Sequence, residues 1–70
     1  MEREFKVILA DFLKENGLSQ SDFARKPGAK PGLVNDWARG KAKPGYDNLR
    51  AMVTVFEVPA EYFLGLIENY

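Results

Sequence analysis

Side chains that make and break covalent bonds are sparse in this sequence. It contains no histidine and no cysteine, which removes the usual general base, the partner that activates most nucleophiles, and the best zinc ligands together. The carboxylates Asp11, Glu15, Asp22, Asp36, Asp47, Glu57 and Glu61 are dispersed and form no dense cluster. The lysines flank glycines and prolines, not an apolar run that would line a pocket. An enzyme is not expected, and no metal or cofactor is implied. What remains is the chemistry of cations and hydrogen-bonding side chains.

Ten basic and ten acidic residues give a net charge of zero, which by itself speaks against nucleic acid, whose binding domains usually carry a basic excess. The distribution reverses that reading. Met1 to Ala24 carries net −2, Arg25 to Lys43 has six basic residues and one acidic (net +5), and Pro44 to Tyr70 carries net −3. A local basic segment attracts phosphate within a Debye length, roughly 8 Å at physiological salt, while acidic flanks weaken steering from afar. The plainer alternative for the same segment is a solvated loop.

Seventy residues allow one domain with one core, and a chain this short buries only roughly 60% of the surface its unfolded form exposes. At 46% hydrophobic and 29% charged residues it has the composition of a soluble globular protein. Lack of cysteine suits a reducing cytosol. The opening Met1-Glu-Arg-Glu-Phe-Lys mixes charges where a signal peptide has a basic end and an apolar run, and no stretch approaches the ~20 apolar residues of a membrane span. A cytoplasmic location without membrane contact is expected.

The periodicity is helical throughout. Phe5, Ile8, Leu9, Phe12 and Leu13 form one stripe, and Asn16-Gly17 supplies a left-handed stop, so helix one is expected over Glu2 to Asn16. Ser19 reads as an N-cap with Asp22 at the capping-box position, and Leu18 and Phe23 are spaced as a hydrophobic staple. Helix two therefore starts at Gln20. It is short, because Pro27 lacks an amide hydrogen and biases Lys26 away from helical angles, with Gly28 as the turn residue. Pro31 suits the first turn of helix three, whose Val34, Trp37 and Ala38 share one face, and Gly40 ends it. After the basic loop Lys41-Ala-Lys-Pro-Gly45, helix four is expected over Tyr46 to Glu57 on the stripe Leu49, Met52, Val53, Phe56. A last short helix follows Pro59, with Tyr62, Phe63 and Leu66 as its apolar side chains.

Two short helices joined by a glycine-containing turn form the layout of a helix-turn-helix. The run from Gly17 to Gly45, Gly-Leu-Ser-Gln-Ser-Asp-Phe-Ala-Arg-Lys-Pro-Gly-Ala-Lys-Pro-Gly-Leu-Val-Asn-Asp-Trp-Ala-Arg-Gly-Lys-Ala-Lys-Pro-Gly, resembles the phage repressor and Cro-type (XRE-like) family of bacterial and phage regulators. The resemblance extends from about Ile8 to Gly65. It implies an all-α, compact five-helix repressor-like DNA-binding domain spanning residues 1–70, with the helix-turn-helix at about 19–39. Ala24, Gly28, Val34 and Trp37 are read as packing and turn residues that position the reader.

The resemblance also assigns roles. Gln20 would hold a phosphate and buttress a base contact. Pro31, Gly32 and Asn35 would face base edges from a recognition helix at about 31–39 in the major groove, with Lys30 just ahead. Asn35 is the best reader, since an amide bonds bidentately to adenine, and Lys30 could reach guanine or a phosphate. Arg39, Lys41 and Lys43 would clamp phosphates. Pro27 stands where an apolar helix residue is usual, so the end of helix two is expected to be looser or shifted. Gly32 without a side chain and Asp36 with a negative charge thin out direct readout, leaving weight on backbone contacts, thymine methyl groups or DNA shape.

Double-stranded DNA is the expected partner, bound as a homodimer, because helix-turn-helix domains of this type sit on half-sites ~34 Å apart. Tyr62, Leu64, Leu66, Ile67 and Tyr70 form an apolar C-terminal segment that either packs on helix one or makes a dimer patch, unless a downstream domain of a longer regulator dimerises. A transcriptional regulator, a repressor, is the leading expectation. The competing one is a protein-interaction module or antitoxin-type regulator on the same scaffold, suggested by zero net charge, Gly32 and Asp36.

Overall fold

A computed structural model of the protein describes residues 3–70. Five helices follow one another, α1 (Phe5–Asn16), α2 (Gln20–Arg25), α3 (Pro31–Ala38), α4 (Tyr46–Phe56) and α5 (Ala60–Phe63), with no strand among the described residues. The expected start of the first helix at Glu2 lies outside the described residues, and α1 begins after an extended Glu4.

α1 is the spine. Its stripe of Phe5, Ile8, Leu9 and Phe12 is buried, and Leu13 packs half-buried against the same core. The Phe12 ring lies 5.9 Å from Phe23 of α2, 5.2 Å from Phe56 of α4, and 6.1 and 5.4 Å from Tyr62 and Phe63 of α5. Phe5 meets Trp37 of α3 edge-on at 5.9 Å. Offset and edge-to-face pairs of this kind add about 0.5–1.5 kcal/mol each beyond the area they bury. Every other helix is thus tied to α1 through a ring.

α2 ends differently from its sequence expectation. Lys26 keeps helical angles (φ −65°, ψ −51°) despite the following proline. The turn is deferred to Gly28, at φ +75°, where the Gly28 amide donates to the Arg25 carbonyl at 3.3 Å and the Ala29 amide to the Ala24 carbonyl at 2.9 Å. Those two bonds form a Schellman closure with glycine at its left-handed position. Neither needs the nitrogen of Pro27, so the proline's bias against a helical predecessor yields to the closure.

α4 buries Met52 completely and rests Leu49, Val53 and Phe56 half-buried on the core. It stops at Phe56, one residue before the expected end, and Glu57 takes the left-handed conformation at φ +55°. On α5, Tyr62 and Phe63 are both 2% exposed, whereas Leu66 lies beyond the helix and is 58% exposed. Leu66 is therefore not one of its core side chains. Burial pushes the Tyr62 phenol above its ordinary pKa, keeping it neutral in the core.

Gly65 closes the fold. Its φ is +82°, and a β-carbon there would stand 2.5 Å from the Arg3 carbonyl oxygen and 2.9 Å from the Arg3 nitrogen. Only glycine admits this approach. The Arg3 amide donates to the Gly65 carbonyl at 3.4 Å, and the Arg3 guanidinium pairs with Asp11.

Candidate nucleic-acid interface

The N-terminus of α2 is built as the spacing predicts. The Ser19 hydroxyl accepts from the Asp22 amide at 3.1 Å, and the Asp22 carboxylate accepts from the Ser19 amide at 3.3 Å, a reciprocal capping box. Hydrogen bonding with Ser19, its backbone amide first, holds the Asp22 carboxyl below its ordinary pKa, helped by the Arg25 guanidinium at 3.2 Å. The cap fixes where α2 begins. Gln20 consequently occupies the first helical position and is exposed.

α3 is positioned from inside. Pro31 starts it after an extended Lys30, and Val34 and Trp37, at most 1% exposed, anchor it beside the buried Ala24 of α2. Those two anchors set the rotation of the helix, which leaves Pro31, Gly32 and Asn35 on its exposed side. The two helices also touch outside the core. The Asn35 side-chain nitrogen Nδ2 donates to Gln20 Oε1 at 3.4 Å, at the long end of the hydrogen-bond range. One hydrogen of the Asn35 amide group is engaged, and its other hydrogen and its Oδ1 remain for an outside partner.

Cations stand at both ends of α3. Lys30 precedes it, and Arg39, Lys41 and Lys43 follow; all four are exposed, and none forms an ion pair with a described residue. The sequence-predicted residues Gln20, Lys30, Pro31, Gly32, Asn35, Arg39, Lys41 and Lys43 therefore lie on the surface of the α2–α3 unit and its following loop, with Gln20 and Asn35 in direct contact. Asp36 is half-buried. It does not share the open exposure of its neighbour Asn35, and its carbonyl takes the Lys41 amide at 2.9 Å.

One exposed residue escaped the sequence reading. Leu33 is a large apolar side chain on α3, 38% exposed, beside Gly32. Its place just before Val34, off the Val34–Trp37 stripe, was the available signal. Space is open at Gly32, where nothing lies within 4 Å of a β-carbon position. Among the described residues no group of three or more acidic side chains is placed to hold a metal ion, and no helix is long and apolar enough to cross a membrane.

Comparison with known proteins agrees with this fold. The model of a family described as Helix-turn-helix matches residues 9–63. No curated protein matches. Among solved structures, a transcriptional regulator from Listeria innocua is similar at a TM-score of 0.79 with 21% sequence identity, over 100% of this chain and 65% of that one. The chain thus spans just under two thirds of that regulator's length.

Proposed function

This chain belongs to the helix-turn-helix family, and from that premise we propose that it is a sequence-specific, double-stranded-DNA-binding transcriptional regulator, a repressor of phage or bacterial origin working in the cytoplasm. The observation that carries this reading is the Asn35–Gln20 hydrogen bond on an exposed surface flanked by four cations that form no ion pair with a described residue.

With α3 in the major groove, Asn35 offers its second amide hydrogen to N7 of adenine and its Oδ1 to the N6 amino group. Gln20 holds that amide in orientation and turns its own Nε2 to a phosphate, where the N-terminal amides of α2 add attraction. Pro31 and Leu33 meet thymine methyl groups. Gly32, with open space before it, admits close approach of the duplex. Lys30, Arg39, Lys41 and Lys43 hold phosphates at the two ends of the helix.

α3 has eight residues, about 12 Å of helix, which spans too few base pairs for a specific site. On this reading the protein binds as a homodimer. Leu64, Leu66, Ile67 and Tyr70 are exposed and supply apolar area for a second copy of the chain, unless a further domain of a longer regulator supplies it; Tyr62, buried in the core, is not part of that area. The structurally similar Listeria innocua protein is a transcriptional regulator, which supports the regulatory role.

Selection from a random duplex library, followed by titration of the selected duplexes at several salt concentrations, tests the reading. The expected result is a recurrent preferred sequence in two half-sites, with log affinity falling linearly against log salt by roughly 0.9 per phosphate held. A protein that prefers no duplex, or whose binding ignores salt, would overturn it and leave the surface to a protein partner.

A further inference from the structure

We propose that Lys6, on the first turn of α1, is an additional phosphate-holding residue that extends the basic surface from the α3 end onto a third helix. The proposal rests on the DNA-binding reading and names a residue outside the helix-turn-helix. Lys6 follows Phe5, whose ring grips Trp37 from inside, and is itself exposed. Its stem crosses Gly40. Lys6 Cδ is 3.0 Å, and Nζ 3.7 Å, from where a β-carbon of Gly40 would stand. The bare glycine gives the side chain its track, and that track ends between Arg39 and Lys41 in sequence.

Lys6, Gly40, Ala42 and Lys43 line one shallow groove together with Glu4. The Lys6 ammonium is not in ion-pair contact with Glu4 or any other described residue. Three elements of the site thus converge at one end: the close of α3, its basic loop, and the start of α1. Charge counting along the sequence assigns Lys6 to an acidic segment, which hides this convergence. A duplex backbone held by Arg39, Lys41 and Lys43 passes within reach of the Lys6 ammonium, and a phosphodiester is the ligand this cluster of cations takes. A purely structural role is the competing explanation, because a cation near the C-terminus of α3 also complements the helix dipole.

The experiment is a salt series of fluorescence-anisotropy titrations with mixed-sequence duplex DNA, using the whole chain as wild type, Lys6→Ala, Lys6→Arg and Lys41→Ala, with a thermal melt of each. Lys6→Ala is expected to lower the magnitude of the log–log salt slope by about 0.9, the value of one phosphate, and to weaken mixed and selected duplexes alike. Lys6→Arg is expected to keep the wild-type slope. An unchanged slope in Lys6→Ala overturns the proposal, whether or not the melting temperature falls, and a lower melting temperature then assigns Lys6 to the end of α3. If Lys41→Ala lowers the slope while Lys6→Ala does not, DNA binding stands and only the role of Lys6 fails. If the wild type binds no duplex, both fail together.

Discussion

α3 fastens itself to the core with Val34 and Trp37, both essentially without exposure, and adds only Ala38 at half burial, whereas α4, with eleven residues, buries only Met52 completely and leans on Leu49, Val53 and Phe56 at half burial. Their endings differ as well. α3 gives way to Gly40 at φ +77°, while α4 gives way to Glu57 at φ +55°, in a conformation that favours glycine. Their surroundings carry opposite charge, with Lys30, Arg39, Lys41 and Lys43 about α3, and Asp47, Glu57 and Glu61 on or near α4 and α5 against a single Arg50. A helix held by few, large, fully enclosed side chains needs nothing of its outer face for folding. α3 is free to spend that face on a partner, and the exposed cations at its two ends suit an anionic one.

Four experiments break or sharpen this contrast. Trp37→Ala removes the main anchor and the ring facing Phe5, and is expected to cost about 3–5 kcal/mol, a large share of the stability of so small a domain. A chemical denaturation curve reads it directly, and a loss under 1 kcal/mol would mean that α3 is not held as described. Asn35→Ala is the converse. Its denaturation midpoint should match wild type, while discrimination between selected and mismatched duplexes falls by about 1–3 kcal/mol; equal losses in folding and binding would erase the distinction between the faces.

Glu57→Gly relieves a left-handed non-glycine residue and is expected to stabilise by about 0.5–1 kcal/mol, less than the full conformational cost because glycine also loosens the unfolded chain. A raised melting temperature with unchanged DNA binding is the expected pair of results. The smallest effect concerns acid. Because the Asp22 pKa is lowered in the fold, the carboxylate form favours the folded state, and its contribution is present above the ordinary carboxylate pKa and lost as pH falls through the lowered one. Wild type should therefore lose more stability than Asp22→Asn across that acid window, and parallel pH profiles for the two proteins would contradict the capping role.

How much could be read beforehand depended on the range over which each cause acts. Ser19 with Asp22, Gly17 and Pro31 act within four residues of themselves, so the starts of α2 and α3 and the stop of α1 were legible. The core stripes were legible too, because Phe5, Ile8, Leu9 and Phe12 repeat at the helical period. Lys26 was misread because its conformation is decided by bonds that Gly28 and Ala29 make two and three residues later. Leu66 follows Tyr62 and Phe63 as a further apolar side chain after Pro59, although the left-handed Gly65 ends that path first. At the candidate site, the grouping of Gln20 with Asn35 rested on a resemblance, and the hydrogen bond between them gives it a geometry. The track of Lys6 over Gly40 joins residues far apart in sequence, and no local pattern announces it.

The rings around Phe12 bear on how the domain could be switched off. Because that one side chain touches α2, α4 and α5, and Phe5 two turns earlier on the same helix holds α3, opening the reading unit by itself would strand aromatic faces in water on both sides of the break. Amide hydrogen exchange should accordingly report a single cooperative unit, with α1, α2 and α3 protected by similar free energies and only the chain ends fraying early. With exchange of that kind, control by melting the reader locally is closed to this protein. Whatever relieves its grip must cover the exposed surface, separate paired copies, or unfold the whole domain at once.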